Sequence, residues 1–180
     1  MLDRARFRGR NADIAVPLRT AQRLNQGFQV FKRILIVCVG NICRSPTAEY
    51  LFRHRLEAVD KDASKKVVVE SAGLGALAGN GMDATALSVL AEHGVDGSRH
   101  VARQLNGDML RSAELIVVME KSHVAAITKV APQASGKTFL LCKWQQDASI
   151  PDPYRQHRIA FEHVYDLIDD AVSSWVERLN

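Results

Sequence analysis

The chain is 180 residues long, 47% hydrophobic and 24% charged, the profile of one globular domain rather than a disordered or fibrous chain. Six arginines and two aspartates in residues 1–31 account for the whole net charge of +4, so the remainder is neutral and nucleic acid is not expected as a partner. The apolar run Ile34 to Val39 is far short of the ~20 residues needed to span a bilayer, and no integral membrane segment is expected. The early arginines precede no continuous apolar stretch of the kind a secretory signal requires. Cys38, Cys43 and Cys142 have neither zinc-ribbon nor disulfide-scaffold spacing. Together these features predict a cytoplasmic protein.

In chain order, residues 1–31 show weak periodicity and read as a basic arm outside the fold, disordered or an upstream extension. Regular patterning begins at Lys32. Arg33 to Val37 is a short β-branched run typical of a strand buried on both faces, and Val67–Val69, Leu115–Val118 and Thr138–Leu141 repeat it. Between them, Ala48, Leu51, Phe52, Leu56 and Val59 form one helical stripe, and Ala86, Leu87, Leu90 and Ala91 another. Phe161, Val164, Tyr165, Ile168, Ala171, Val172, Trp175, Val176 and Leu179 make a long final stripe, with Asp166, Asp169 and Asp170 on the solvated side. Strands alternating with helices predict a single α/β domain over residues 32–180, a parallel sheet with helices on both faces. Ligands of such sheets bind beyond the carboxyl ends of the strands, which directs attention to the loops after Val37, Val69 and Val118.

The first of these loops reads Cys38-Val39-Gly40-Asn41-Ile42-Cys43-Arg44-Ser45-Pro46. Ser45 is a natural helix N-cap and Pro46 suits the first helical position. A loop closing onto a helix N-terminus suits an anion, and Gly40 and Asn41 can adopt the left-handed backbone that such a nest needs. Arg44 adds a planar fork for two oxygens, and Cys38 at the rim of this positive cup suits a thiolate nucleophile. Were Cys38 only a small buried apolar residue, Gly40, Asn41 and Arg44 would share no purpose. No nucleotide-binding Gly-x4-Gly-Lys-Ser/Thr occurs, and Gly73, Gly75 and Gly79 miss the dinucleotide spacing by one position. The six histidines show no metal-ligand spacing, so neither metal nor cofactor is expected.

Val37 to Pro46 resembles the signature of the low-molecular-weight protein tyrosine phosphatases, and Asp152-Pro153-Tyr154 resembles their second motif. Ser71-Ala72-Gly73, Ala102-Arg103-Gln104 and Val118-Met119-Glu120 fit intermediate landmarks, so the resemblance covers residues 32–180. Arg155 after the motif is similar to bacterial members that act beside autophosphorylating tyrosine kinases in capsule and exopolysaccharide export. The resemblance implies a Rossmann-like fold with a four-stranded parallel sheet, and hydrolysis of phosphotyrosine through a phosphocysteine intermediate. It implies Cys38 as nucleophile, Arg44 as phosphate clamp and Asp152 as general acid. Val39, Gly40, Asn41, Ile42, Cys43 and Ser45 would complete the phosphate-binding loop, Ser45 also bonding the nucleophile and Asn41 bracing the loop. Tyr154 and Leu77 would wall the substrate ring. A reversible Cys38–Cys43 disulfide is implied in the same way. Phosphoarginine phosphatases resemble this loop too, but tend to carry Thr where Ile42 stands.

Overall fold

The computed structural model describes residues 31–59 and 67–179. Four strands, β1 (Arg33–Cys38), β2 (Val68–Gly73), β3 (Leu115–Val118) and β4 (Thr138–Leu140), pair in parallel in the order β2-β1-β3-β4. Among the described residues five α-helices connect and cover them: α1 (Arg44–Val59), α2 (Ala84–Glu92), α3 (Gly107–Ser112), α4 (Lys121–Val130) and α5 (Arg158–Leu179). The arm expected over residues 1–31 lies outside the described residues, apart from Phe31, which packs against the core.

The period-two alternation of a strand explains how β1 serves two layers. Ile34, Ile36 and Cys38 face the cluster built with α1, α2 and α5, while Leu35 and Val37 face the one built with α3, α4 and the 3-10 turn Pro132–Lys137. With both faces covered, β1 and β3 can be continuous apolar runs, as the sequence showed. All nine residues of the final stripe are buried on α5, each large apolar side chain contributing roughly 1.5–3 kcal/mol.

Some boundaries differ from the sequence reading. β2 continues through Glu70 and Ser71 to Gly73, because its partner β1 runs on to Cys38 and the register pairs Cys38 with Gly73. In α1, Val59 is exposed rather than part of the buried stripe, and Ala91 is exposed on α2. Asp169 is half-buried and paired with Arg55, whereas Asp166 and Asp170 are solvated. α3 and α4 were not anticipated, since α3 buries only Leu110 and α4 only His123 and Ile127. Among the described residues no helix is long and apolar enough to cross a membrane.

The neighbouring strands β1 and β3 connect onward to β2 and β4 on opposite sides, so the chain leaves their carboxyl ends in opposite directions. A crevice opens there, the general ligand position in sheets of this topology.

Candidate active site

β1 ends at Cys38, and five residues carry the chain from the sheet into α1. Asn41 makes that turn possible by taking a left-handed conformation at φ 54°. Gly40 was expected to share it, but its φ is not positive, and a Cβ there would make only ordinary contact with Ile42. The bend thus rests on a residue whose side chain can be held in place.

Asn41 is fully buried and held from every side. Its carbonyl accepts from His100 Nε2 at 2.7 Å, and its Oδ1 accepts from the Arg103 backbone N–H at 2.9 Å. Its Nδ2 donates to Ser71 Oγ at 2.8 Å and to Ser45 Oγ at 2.9 Å. These partners fix the direction of a proton chain. The Glu49 carboxylate can only accept, so the Ser71 hydroxyl donates to it and turns a lone pair toward Asn41. Ser45 also accepts from Asn41, which leaves its own proton for Cys38 Sγ, 2.9 Å away. The Asn41 N–H adds a second donor to that sulfur at 3.3 Å. Ser45 therefore does not act as the N-cap expected of it. α1 already begins at Arg44, and the hydroxyl points back at the sulfur instead.

Arg44 is 2% exposed, and a guanidinium so deeply buried must be paired. Its Nη1 donates to Glu120 Oε1 at 2.5 Å and to the Ile150 carbonyl at 3.0 Å, and its Nη2 to Asp152 Oδ2 at 2.7 Å. Glu120 comes from the turn after β3, and Ile150 and Asp152 from the loop after β4, so two strand-end loops converge on a side chain that itself follows the loop after β1. Burial works to raise the Glu120 carboxyl, but the hydrogen bond and charge of Arg44 outweigh it and hold it below its ordinary value. Cys43 is a buried free thiol whose pKa is pushed up by burial and then by Asp83, so it stays protonated. Cys38 and Cys142 are also free thiols, and Cys142 is in the core.

The glycine-rich segment after β2 is a strap for this loop. Leu74, Gly75 and Leu77 donate backbone N–H groups to the carbonyls of Cys38, Val39 and Gly40 at 2.9, 3.1 and 3.0 Å. Gly73 permits the approach, since a Cβ there would lie 2.4 Å from the Val39 carbonyl oxygen. A cavity of about 170 Å³ results. Cys38, Val39, Gly40, Asn41, Ile42, Cys43 and Arg44 line it together with Asp152, Tyr154 and Leu77, while Ser45 stands behind the wall. Tyr154 and Leu77 are 39% and 40% exposed, which places them at the mouth.

Glu49, Ser71, His100, Glu120 and Ile150 were not singled out as site residues in the sequence. Ser71 and Glu120 lie at strand ends within recognised landmarks, the one signal available for them. Glu49 reads as an ordinary helix-surface position, and His100 as one histidine of six. Among the described residues no group of His, Cys, Asp or Glu could hold a metal ion.

The arrangement presents a sulfur, a buried guanidinium and a half-exposed carboxylate around a slot walled by apolar side chains. Comparison with known proteins gives it a setting. Residues 33–180 match the family described as low molecular weight phosphotyrosine protein phosphatase. The chain is 45% identical over 150 residues, 83% of its length, to the low molecular weight protein-tyrosine-phosphatase Etp of Escherichia coli strain K12, covering 96% of that protein. It superposes with a TM-score of 0.75 on Vibrio vulnificus Wzb in complex with benzylphosphonate, at 43% identity, covering 82% of this chain and 99% of that one. The YwlE arginine phosphatase of Geobacillus stearothermophilus shares the fold at a TM-score of 0.74 and 30% identity, covering 82% and 92%.

Proposed function

Since the chain belongs to the low molecular weight phosphotyrosine protein phosphatases, we propose that it hydrolyses phosphotyrosine in proteins through a phosphocysteine formed on Cys38. The observation that carries this reading is the convergence of Cys38, Arg44 and Asp152 on one cavity with Tyr154 and Leu77 at its mouth. Its slot suits a flat ring, and the related Wzb of Vibrio vulnificus has been solved in complex with benzylphosphonate, a phosphonate on a benzyl group.

The phosphoryl group lies in the loop Val39 to Arg44, with backbone N–H groups and Arg44 on its equatorial oxygens, where positioning and charge supply most of the rate. The arriving dianion competes with Asp152 for the Arg44 guanidinium. The freed carboxyl then faces the leaving oxygen. Cys38 sulfur attacks phosphorus in line, the P–O bond to the tyrosine breaks, and protonated Asp152 gives its proton to the departing phenolate. In the second half Asp152 takes a proton from water, whose oxygen attacks phosphorus. Inorganic phosphate leaves, and the sulfur returns as the thiolate that Ser45 and the Asn41 N–H steady. No metal or cofactor enters these steps. The resemblance points to an autophosphorylating tyrosine kinase of exopolysaccharide or capsule production as the protein substrate, met in the cytoplasm.

Steady-state hydrolysis of phosphotyrosine, phosphoserine and phosphoarginine peptides under reductant tests the substrate class. Wild type should turn over phosphotyrosine alone, and Cys38→Ser should abolish it. A preference for phosphoarginine would retain the chemistry and overturn the substrate, in favour of the activity named for YwlE.

A further inference from the structure

Arg155 follows Tyr154, which lines the cavity, and has no part in the steps above. Its backbone is left-handed at φ 63°, a conformation uncommon outside glycine that persists where the surroundings over-determine it. Here they do. Tyr154 donates its N–H to Asp152 Oδ1 at 3.2 Å, Gln156 donates its N–H to the Pro153 carbonyl at 2.9 Å, and the Gln156 side chain donates to the Asp152 carbonyl at 2.6 Å. The result aims the Arg155 guanidinium at Tyr154, with its central carbon 5.2 Å from the ring centroid. Among the described residues no carboxylate pairs with Arg155, whereas Arg158 on the next turn of chain is held by both Glu92 and Glu162. The cavity lining contains one cation, Arg44, and that one is committed to the phosphoryl group.

We propose that Arg155 is a specificity-determining residue that binds an anionic group next to the phosphotyrosine of the substrate. The inference rests on the phosphotyrosine reading and deepens it. A substrate ring against Tyr154 puts the flanking peptide within reach of the guanidinium, because an extended chain advances about 3.3–3.6 Å per residue. The planar fork matches two oxygens of a carboxylate or a phosphate. Stacking on Tyr154 holds the fork in place beforehand, which lowers the ordering cost of binding. Two sources carry that anion: an aspartate or glutamate beside the phosphotyrosine, and the phosphate of a second phosphotyrosine.

The test measures kcat/KM of the full-length protein on matched phosphotyrosine peptides carrying Glu, Gln or a second phosphotyrosine one or two residues to either side. Wild type should favour the anionic peptides about 3–10-fold over the Gln peptide, and the preference should shrink at high salt. In Arg155→Asn, which suits a left-handed backbone, the ratio should fall to about 1, and in Arg155→Glu it should invert. A preference shared by the Glu peptide supports a general anion site, and one confined to the doubly phosphorylated peptide supports a phosphate site. Equal rates for all peptides in wild type would overturn the inference and leave the phosphotyrosine reading intact. So would an Arg155→Asn variant that slows every peptide by the same factor, which would make Arg155 a brace for Tyr154. Failure to hydrolyse any phosphotyrosine peptide would sink the parent reading, and this one with it.

Discussion

Asn41 concentrates much of the physics of the site in one side chain. It bends the loop, and its amide sets the direction of the proton chain from Glu49 through Ser71 and Ser45 to the Cys38 sulfur. Ser71→Ala would strand one Asn41 amide proton in a buried setting, which costs about 1–3 kcal/mol. The variant should show a lower Tm, and Cys38 should be alkylated more slowly by iodoacetamide as Ser45 loses its fixed orientation. An unchanged alkylation rate would mean that the chain does not reach the sulfur. Glu120 is the second residue with a measurable signature. Its carboxyl titrates below the ordinary 4.5, so its contribution to stability is fully present above that value and is lost as pH falls through the lowered folded value. Glu120→Gln should flatten the acid limb of a Tm-against-pH curve, and it should lower kcat/KM by freeing Arg44 to wander. Parallel acid limbs in the two proteins would show that the ion pair carries no such linkage.

At the scale of elements, the site depends on how closely β2 and its strap lie against the loop after β1. Gly73→Ala would drive a Cβ to within 2.4 Å of the Val39 carbonyl, a backbone atom that cannot swing aside. We expect a loss of roughly 1–3 kcal/mol in chemical denaturation and a fall in kcat/KM as the loop shifts, whereas Gly75→Ala, with open space around it, should cost little. What could be read from the sequence follows the same division. β1 and β3 are sandwiched between layers, so their apolar runs announced them. The second half of β2 was hidden because Glu70 and Ser71 turn polar groups toward Arg33, Arg103 and Glu49. α4 was hidden because two buried residues make too thin a stripe. Cys38, Arg44 and Asp152, which line one cavity, could be singled out as candidates because motifs mark them. Glu120 could not, because its role exists only once folding brings it to Arg44 across 76 positions of sequence.

For the whole molecule, the sheet order decides where chemistry can happen. β1 lies at the switch point, and the loops after all four strands supply the cavity or its supports. The core beneath should therefore be separable from the chemistry. Phe52, fully buried under the sheet, should cost about 3–5 kcal/mol as Phe52→Ala, with kcat retained well below the lowered Tm. A kcat that collapses at temperatures where the variant is still folded would tie that core to the site. The claim on which the account turns is a covalent one, and it can be tested directly. An aryl phosphate with a good leaving group needs no proton from Asp152 in the first half-reaction, whereas Asp152→Ala deprives the second of its base and slows it by ~10²–10⁴-fold, so acid quenching during turnover should trap the intermediate. Mass spectrometry should then find one phosphoryl group on the peptide containing Cys38, and none in the Cys38→Ser, Asp152→Ala double variant. Turnover with no phosphorylated Cys38, or with the phosphoryl group on another side chain, would contradict the account.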